Sequence, residues 1–239
     1  MGSALTSRTS HAVSAKHGLR PFTDAQVAEL RELAKSLAGR PLPNVHVTEQ
    51  QFVDRYFHED LNAEWVAGEV FVTPPANLDH NDLNIWLACL LREFVEHHDV
   101  GRVFAVEAQV RLANVPSRRN PDLFFVSTAN LGKLRPTFFD GAPDLIVEIV
   151  SPDSASRDWR EKFLEYEKSG VREYWLIDPA SRQFEAYALG RKKKYARLPE
   201  DENGHIASKV LRGFSLKPAW LWQSPRAKIG ALLKELGLR

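Results

Sequence analysis

The segment PDLIVEIVSP, residues 143–152, decides how this chain folds. A short apolar run bounded by turn residues is typical of a buried strand, and the Ser, Pro and Asp residues at 151–154 form such a turn. Glu148 is the only charged side chain in the apolar part of the segment, residues 145–150, and a buried lone carboxylate costs several kcal/mol unless it is compensated. Glu148 therefore needs a partner, which is either an arginine in a structural ion pair or a metal ion in a polar cleft.

The residues after the turn indicate a crossover back to the same sheet. Residues 157–169 have a helical pattern, Gly170 is a suitable C-cap, and residues 171–177 form a second apolar strand. A strand, a helix and a further strand predict parallel pairing with a right-handed connection.

The residues before the segment predict two more strands and a core helix. Residues 102–112 alternate between apolar and polar side chains, and residues 122–126 form a short apolar run. Asp79 and Asp82 are suited to the start of a helix. Its broad apolar stripe consists of Leu83, Trp86, Leu87, Leu90, Leu91, Phe94 and Val95. The predicted core order is helix, strand, strand, strand, helix, strand.

The whole chain is predicted to have an α/β fold with additions at both ends. Residues 64–73 are typical of a hairpin that turns at Ala67 and Gly68, and capping-box spacings at Thr23 and Thr48 predict two earlier helices. The predicted organisation is a disordered tail (1–21), an N-terminal helical extension (22–60), a mixed β-sheet core flanked by helices (61–190), and a basic C-terminal extension with β and helical elements packed on the core (191–239).

Composition and charge narrow the functional classes. Cys89 is the only cysteine among 239 residues, which excludes an internal disulfide or a thiolate zinc site and fits a reducing cytoplasm. No apolar stretch approaches the roughly 20 residues that span a bilayer, so no membrane association is expected. Residues 181–239 contain thirteen Lys or Arg against five Asp or Glu, a net of +8 in a chain of +1. Such a region suits either nucleic-acid binding or a solvated basic surface.

Two further residues bear on the chemistry of Glu148. Asp122 begins the preceding predicted strand, so adjacent strands can bring it within one cation's reach of Glu148, although it also suits a turn cap after Asn120. Lys162 lies on the following helix, where an ammonium near two carboxylates can offset charge in a transition state. A surface pair with Asp158 at i,i+4 explains Lys162 equally simply.

Several motifs occur together in the order found in one known family. They are Gly68-Glu69, His80 at the start of a helix, Arg119-Asn120-Pro121-Asp122, the run 143–152, then Asp158, Lys162, Tyr166 and the run GVREYWLIDP at 170–179. In this combination the chain resembles the Uma-two family of endonucleases, a branch of the PD-(D/E)xK superfamily. The resemblance covers roughly residues 64–189.

The resemblance implies a restriction endonuclease-like fold and a metal-dependent endonuclease that hydrolyses DNA through Mg-activated water. Asp122, Glu148 and the backbone carbonyl of Ile149 would ligate Mg²⁺ or Mn²⁺. The superfamily's usual lysine position, two residues after the glutamate, holds Val150, and Lys162 matches the family's substitute. Glu69 and His80 match family positions that line the same cleft.

The expected partner is DNA, and candidate DNA contacts are Arg118, Arg119, Lys192 and Lys193. A homodimer is expected by analogy with the family, because two cuts need two sites. Val150 keeps open a catalytically inactive nucleic-acid-binding protein of the same fold. A structural assembly domain, whose acidic pocket is only an ion-pair network, is the remaining alternative.

Overall fold

The computed structural model of the protein describes residues 22–37, 39–57, 61–105, 108–150 and 158–238. The predicted disordered tail at 1–21 lies outside these residues. In chain order the elements are α1 (Asp24–Leu37), α2 (Glu49–Arg55), β1 (Ala63–Val66), β2 (Glu69–Val72), α3 (Leu78–His98), β3 (Gly101–Ala105), β4 (Gln109–Leu112), β5 (Ser117–Arg119), β6 (Leu123–Ser127), a 3-10 helix (Thr128–Lys133), β7 (Phe138–Asp140), β8 (Leu145–Ile149), α4 (Asp158–Ser169), β9 (Glu173–Asp178), β10 (Gln183–Leu189), β11 (Tyr195–Arg197), β12 (Ile206–Ala207), β13 (Ser215–Leu216), α5 (Pro218–Leu221) and α6 (Ile229–Glu235).

The larger sheet has six strands in the order β11-β10-β9-β8-β6-β3. Strands β8 and β9 are parallel and are joined by α4, whereas β6 runs antiparallel to β8. The predicted α/β class is confirmed. Along the chain, α3, β3, β6, β8, α4 and β9 follow one another in the predicted order of core elements.

The predicted strand at 102–112 is wrong as a single element. Strand β3 pairs with β6 in the larger sheet, whereas β4 pairs with β5 and β7 in a five-stranded sheet of order β2-β1-β5-β4-β7. The chain thus leaves one sheet for the other after Ala105. Apolar alternation persists on both sides of this change, which is why the pattern does not reveal it.

The hairpin of β1 and β2 turns at Ala67 and Gly68, as predicted. Gly68 has a φ of +102°, and a Cβ there would lie 2.1 Å from Cε1 of His46. Only glycine fits both the left-handed conformation and this close approach.

Helix α3 begins earlier than the predicted start at Asp79. Asn77 is its N-cap, and the Asn77 side chain accepts a hydrogen bond from the backbone N–H of His80 (2.8 Å). This start places His80 in the first turn of the helix. The apolar face of α3 packs on the side of β8 that carries Leu145, Val147 and Ile149.

The two chain extensions each cover part of the core. Residues of the C-terminal region, such as Phe214, Trp220 and Leu232, belong to the same apolar cluster as α3. Glu173 at the start of β9 fastens this region by accepting hydrogen bonds from the backbone N–H groups of Lys209 (2.7 Å) and Val210 (2.9 Å). Helices α1 and α2 form a separate apolar cluster with the β1–β2 hairpin. No helix among the described residues is long and apolar enough to cross a membrane.

Candidate active site

Asp122 lies one residue before β6, and Glu148 lies in the neighbouring strand β8. The paired residues of these antiparallel strands end at Leu123 and Val147, and continuing the same register by one residue sets Asp122 opposite Glu148. Opposed residues of an antiparallel pair point to the same face, with Cβ atoms roughly 5 Å apart. The structure therefore brings the two carboxylates suggested by the sequence to one place at the end of β8.

The Asp122 side chain accepts a hydrogen bond from a backbone N–H of β8 at the point where the pairing with β6 ends. The N–H of Val150 donates to the Ile177 carbonyl on β9, so the N–H of Ile149 points to the other side, towards β6. There it donates to Oδ2 of Asp122 at 2.6 Å, and Nε2 of His80 lies 2.9 Å from Oδ1. Because the N–H and C=O of one strand residue point the same way, the Ile149 carbonyl also points towards Asp122.

Glu148 is buried and is held by two groups of helix α4. Lys162 Nζ donates to Oε2 at 3.2 Å, and the Tyr166 hydroxyl donates to Oε1 at 2.7 Å. The two residues are four apart, so they lie on the same face of the helix, which packs over this end of the sheet. Lys162 therefore reaches Glu148 from α4, while the usual lysine position holds Val150.

Glu64 in β1 is a third carboxylate of the site, buried like Glu148, and sequence reasoning missed it. It accepts hydrogen bonds from Arg119 Nη1 (2.9 Å) and from the backbone N–H of Asn120 (2.8 Å), and its Oε1 lies 3.6 Å from Lys162 Nζ. The signal was present, because Glu64 is flanked by Ala63, Trp65 and Val66 as Glu148 is flanked by apolar residues. Glu64 thus ties the hairpin to the segment that ends at Asp122.

The structure places Arg118 and Arg119 in buried ion pairs. The Arg119 side chain is 2% exposed and lies between Glu64 and Glu165, with its Nη2 2.7 Å from Glu165 Oε2. Arg118 donates to Glu49 (2.8 Å) and to the side chain of Gln109 (2.9 Å). The guanidinium groups of both arginines are thus held by protein acceptors, and a DNA contact by either arginine stays a prediction.

Lys192 and Lys193 are exposed, but they lie at the other end of the sheet. They belong to the turn between β10 and β11, where the N–H of Leu189 bonds the carbonyl of Arg172 just before β9 begins. The Asp122–Glu148 pair lies at the end of β8, which runs parallel to β9. A DNA contact at this turn would therefore be remote from the site.

Two other carboxylates lie outside the cluster. Glu69 is exposed beside the hairpin turn, opposite Val66, and has no hydrogen bond or ion pair within the described ranges. Asp144 is buried at the start of β8 and accepts from the Ser127 N–H (2.7 Å) and from Arg172 (2.9 Å). Asp144 is thus used structurally at the far end of the strand.

Comparison with known proteins identifies the family. A family model named Uma2 and described as "Putative restriction endonuclease" matches residues 49–219. The chain belongs to the Uma2 family. The resemblance stated from the motifs is therefore confirmed.

A solved relative of the Uma2 chain supports the same fold. It is described as the crystal structure of "a putative nuclease belonging to DUF820" from Anabaena variabilis ATCC 29413. The two share 18% identity with a TM-score of 0.58, over 67% of this chain and 89% of that chain. This likeness confirms the restriction endonuclease-like fold. No curated protein matches the chain.

The site of this Uma2 protein carries a surplus of negative charge. Among the side chains that the structure describes, this cluster contains four carboxylates and two permanent cations, a net charge of −2 when all four carboxylates are ionised and His80 is neutral. Its carboxylates are Asp122, Glu148, Glu64 and Glu165, and its cations are Lys162 and Arg119.

The surplus of negative charge in the cluster shifts the pKa values of its buried groups. Burial raises the pKa of Glu148, Lys162 lowers it, and Asp122 and Glu64 raise it again, with a net value of about 7. Burial also raises the pKa of Glu64, but Lys162 and Arg119 outweigh it, so that this pKa is lowered. Burial lowers the pKa of His80, whereas its hydrogen bond with Asp122 raises it above the usual value. Among the carboxylates of the cluster, the negative charge of Glu148 is the least compensated by neighbouring cations and hydrogen-bond donors.

The donor set of the site fits a hard divalent cation. Two opposed carboxylates and a backbone carbonyl are the oxygen ligands that Mg²⁺ and Mn²⁺ take, and a charge of +2 would neutralise the cluster. Across the described ranges, no three His, Cys, Asp or Glu side chains are arranged to hold an ion together. Water and substrate oxygens would have to complete the coordination, as is usual for Mg²⁺.

The raised pKa of Glu148 predicts how the metal-free protein responds to pH. Between its ordinary pKa of 4.5 and about 7, the folded state keeps a proton that the unfolded state releases. The stabilisation from this group is therefore complete below pH 4.5 and is lost as pH rises through 7. Urea denaturation in EDTA from pH 5 to 8 should show stability falling with pH, and the fall should be smaller in Glu148→Gln. Equal slopes for the two proteins would contradict this assignment, since His80 and Glu173 titrate in both.

Proposed function

We propose that this protein is a metal-dependent endonuclease that hydrolyses DNA phosphodiester bonds, using Mg²⁺ or Mn²⁺ held by Asp122, Glu148 and the Ile149 carbonyl. The observation that carries the proposal is that Asp122 bonds the Ile149 N–H beside Glu148, in a cluster with a charge of −2 when its carboxylates are ionised. A divalent cation bound there would supply positive charge for the phosphate and lower the pKa of a water nucleophile.

The protein's own residues have distinct roles in this proposal. The Ile149 N–H and His80 orient the Asp122 carboxylate, and Lys162 and Tyr166 orient the Glu148 carboxylate, each through a hydrogen bond. The Lys162 ammonium, 3.2 Å from Glu148, would contact a phosphate oxygen bound beside the carboxylates and offset the charge gained in the transition state. Because Lys162 provides a cation beside the carboxylates, Val150 at the usual lysine position does not by itself require an inactive site.

The proposal is tested by incubating supercoiled and linear DNA with the protein in Mg²⁺ or Mn²⁺. We expect nicking and linearisation with either ion and none in EDTA. Asp122→Asn, which keeps an acceptor for the Ile149 N–H but loses the charge, should reduce the rate by about 10²-fold or more. Equal inactivity of the wild type and the variant on both DNAs and on RNA would overturn the proposal and favour the inactive binding protein.

Two finer parts of the proposal concern the protein's setting. A homodimer would supply two sites for a double-strand cut, and sedimentation with and without DNA would test it. A cytoplasmic location is proposed because the single cysteine, Cys89, is exposed and free.

A further inference from the structure

We infer that Tyr166 is a positioning residue for the metal ligand Glu148, an inference that rests on the proposed function. Its hydroxyl donates to Glu148 Oε1 at 2.7 Å, and the other carboxylate oxygen, Oε2, accepts from Lys162. Each carboxylate oxygen of Glu148 thus has one donor from α4.

The two donors to Glu148 differ in how firmly they can hold it. The Lys162 ammonium ends a flexible four-carbon chain and is shared with Glu64, which lies 3.6 Å away. The Tyr166 side chain is fully buried in the apolar cluster of Ile146, Leu176 and Tyr174, and its ring packs edge-on against Tyr174 at 5.4 Å. The fixed ring allows the hydroxyl little freedom, so Tyr166 fixes the rotation of the carboxylate.

A carboxylate held in one orientation loses less freedom when it binds an ion. Hydrogen bonds to ligating groups typically change metal affinity by about 10–100-fold. Tyr166→Phe keeps the ring in its cluster and removes only the hydroxyl, so it isolates this effect. The variant is expected to fold.

Tyr195→Phe is the matched control. The Tyr195 hydroxyl donates to the Val171 carbonyl at 2.9 Å, and its ring packs on Phe163 and Tyr174, so it contributes one internal hydrogen bond to the same region without a contact to Glu148. Each variant loses one hydrogen bond, and Tyr166→Phe should lose more stability in urea at pH 8, because its lost acceptor is the ionised Glu148 carboxylate and not a neutral carbonyl.

The experiment is calorimetric titration of Mn²⁺ into wild type, Tyr166→Phe and Tyr195→Phe at pH 8, with urea denaturation of each in EDTA. We expect Mn²⁺ to bind about 10–100-fold more weakly to Tyr166→Phe and with wild-type affinity to Tyr195→Phe. Equal affinities for wild type and Tyr166→Phe, or the same weakening in both variants, would overturn this inference alone. Absence of binding by the wild type would overturn the proposed function as well.

Discussion

Glu148→Gln is expected to reduce Mg²⁺-dependent cleavage of supercoiled DNA by about 10³-fold while it stabilises the metal-free protein at pH 8. The amide has nearly the same shape but cannot supply a negative charge to a cation. At pH 8 the wild-type carboxylate is ionised against its raised pKa of about 7, so the neutral amide removes a cost of burial. Cleavage assays and urea denaturation in EDTA measure the two effects.

A lower cleavage rate together with a higher stability in Glu148→Gln distinguishes a metal site from a structural ion pair. If Glu148 existed only to pair with Lys162, its loss would leave a buried ammonium less compensated, and stability would fall by about 3–5 kcal/mol. Glu173→Gln is the matched control, because Glu173 is also buried in the sheet but fastens the C-terminal region. Four donors converge on the Glu173 carboxylate, from Trp175, Ser208, Lys209 and Val210, and an amide nitrogen cannot accept from them, so Glu173→Gln should lower stability although burial raises the pKa of Glu173. It should leave the rate of the folded enzyme unchanged. A less stable Glu148→Gln with full activity would contradict the account.

Arg119→Met is expected to lower the free energy of unfolding by about 3–5 kcal/mol. Its guanidinium is buried between Glu64 and Glu165, and burial lowers the pKa of Arg119 while the two carboxylates raise it well above its usual value. Removing the cation takes a guanidinium away from two buried carboxylates. Urea denaturation at pH 7 measures the loss.

Arg111→Met is the control for loss of an arginine. Arg111 also pairs with two carboxylates, Glu49 at 2.6 Å and Asp140 at 3.1 Å, but its side chain is 37% exposed. Solvent-screened pairs of this kind contribute about 0–1 kcal/mol. A loss from Arg119→Met no larger than that from Arg111→Met would show that Glu64 and Glu165 are compensated in another way.

The sequence predicted the elements whose evidence is local. The apolar run around Glu148, the amphipathic pattern of α4 and the apolar strand at 171–177 specify a parallel crossover, because antiparallel neighbours would not need so long a return. The predicted turn at 151–154 lies outside the described residues. The hairpin at Gly68 was likewise marked by its turn residues. The bounds of these elements differ from the structure by a few residues at most.

Long-range placement could not be derived from the same patterns. The opposition of Asp122 and Glu148 depends on the register of β6 on β8, and a slip of one residue would turn Asp122 to the other face. Glu64 joins the site only because β1 pairs with β5, which brings Arg119 and Asn120 to it. The burial of Arg118 and Arg119 also follows from that pairing. Because the sequence pattern does not reveal the pairing, the prediction of DNA contacts rested on the charge of the two arginines alone.

The most direct test of the central claim is calorimetric titration of Mn²⁺ at pH 8 into wild type, Asp122→Asn and Glu148→Gln. Glu148 is then mostly ionised, and a shared cation requires both carboxylates. The account predicts specific binding to the wild type and affinity reduced by about 100-fold or more in each variant. Wild-type protein that binds no Mn²⁺, or binds it as tightly after either substitution, would contradict the claim that Asp122 and Glu148 hold one ion between them.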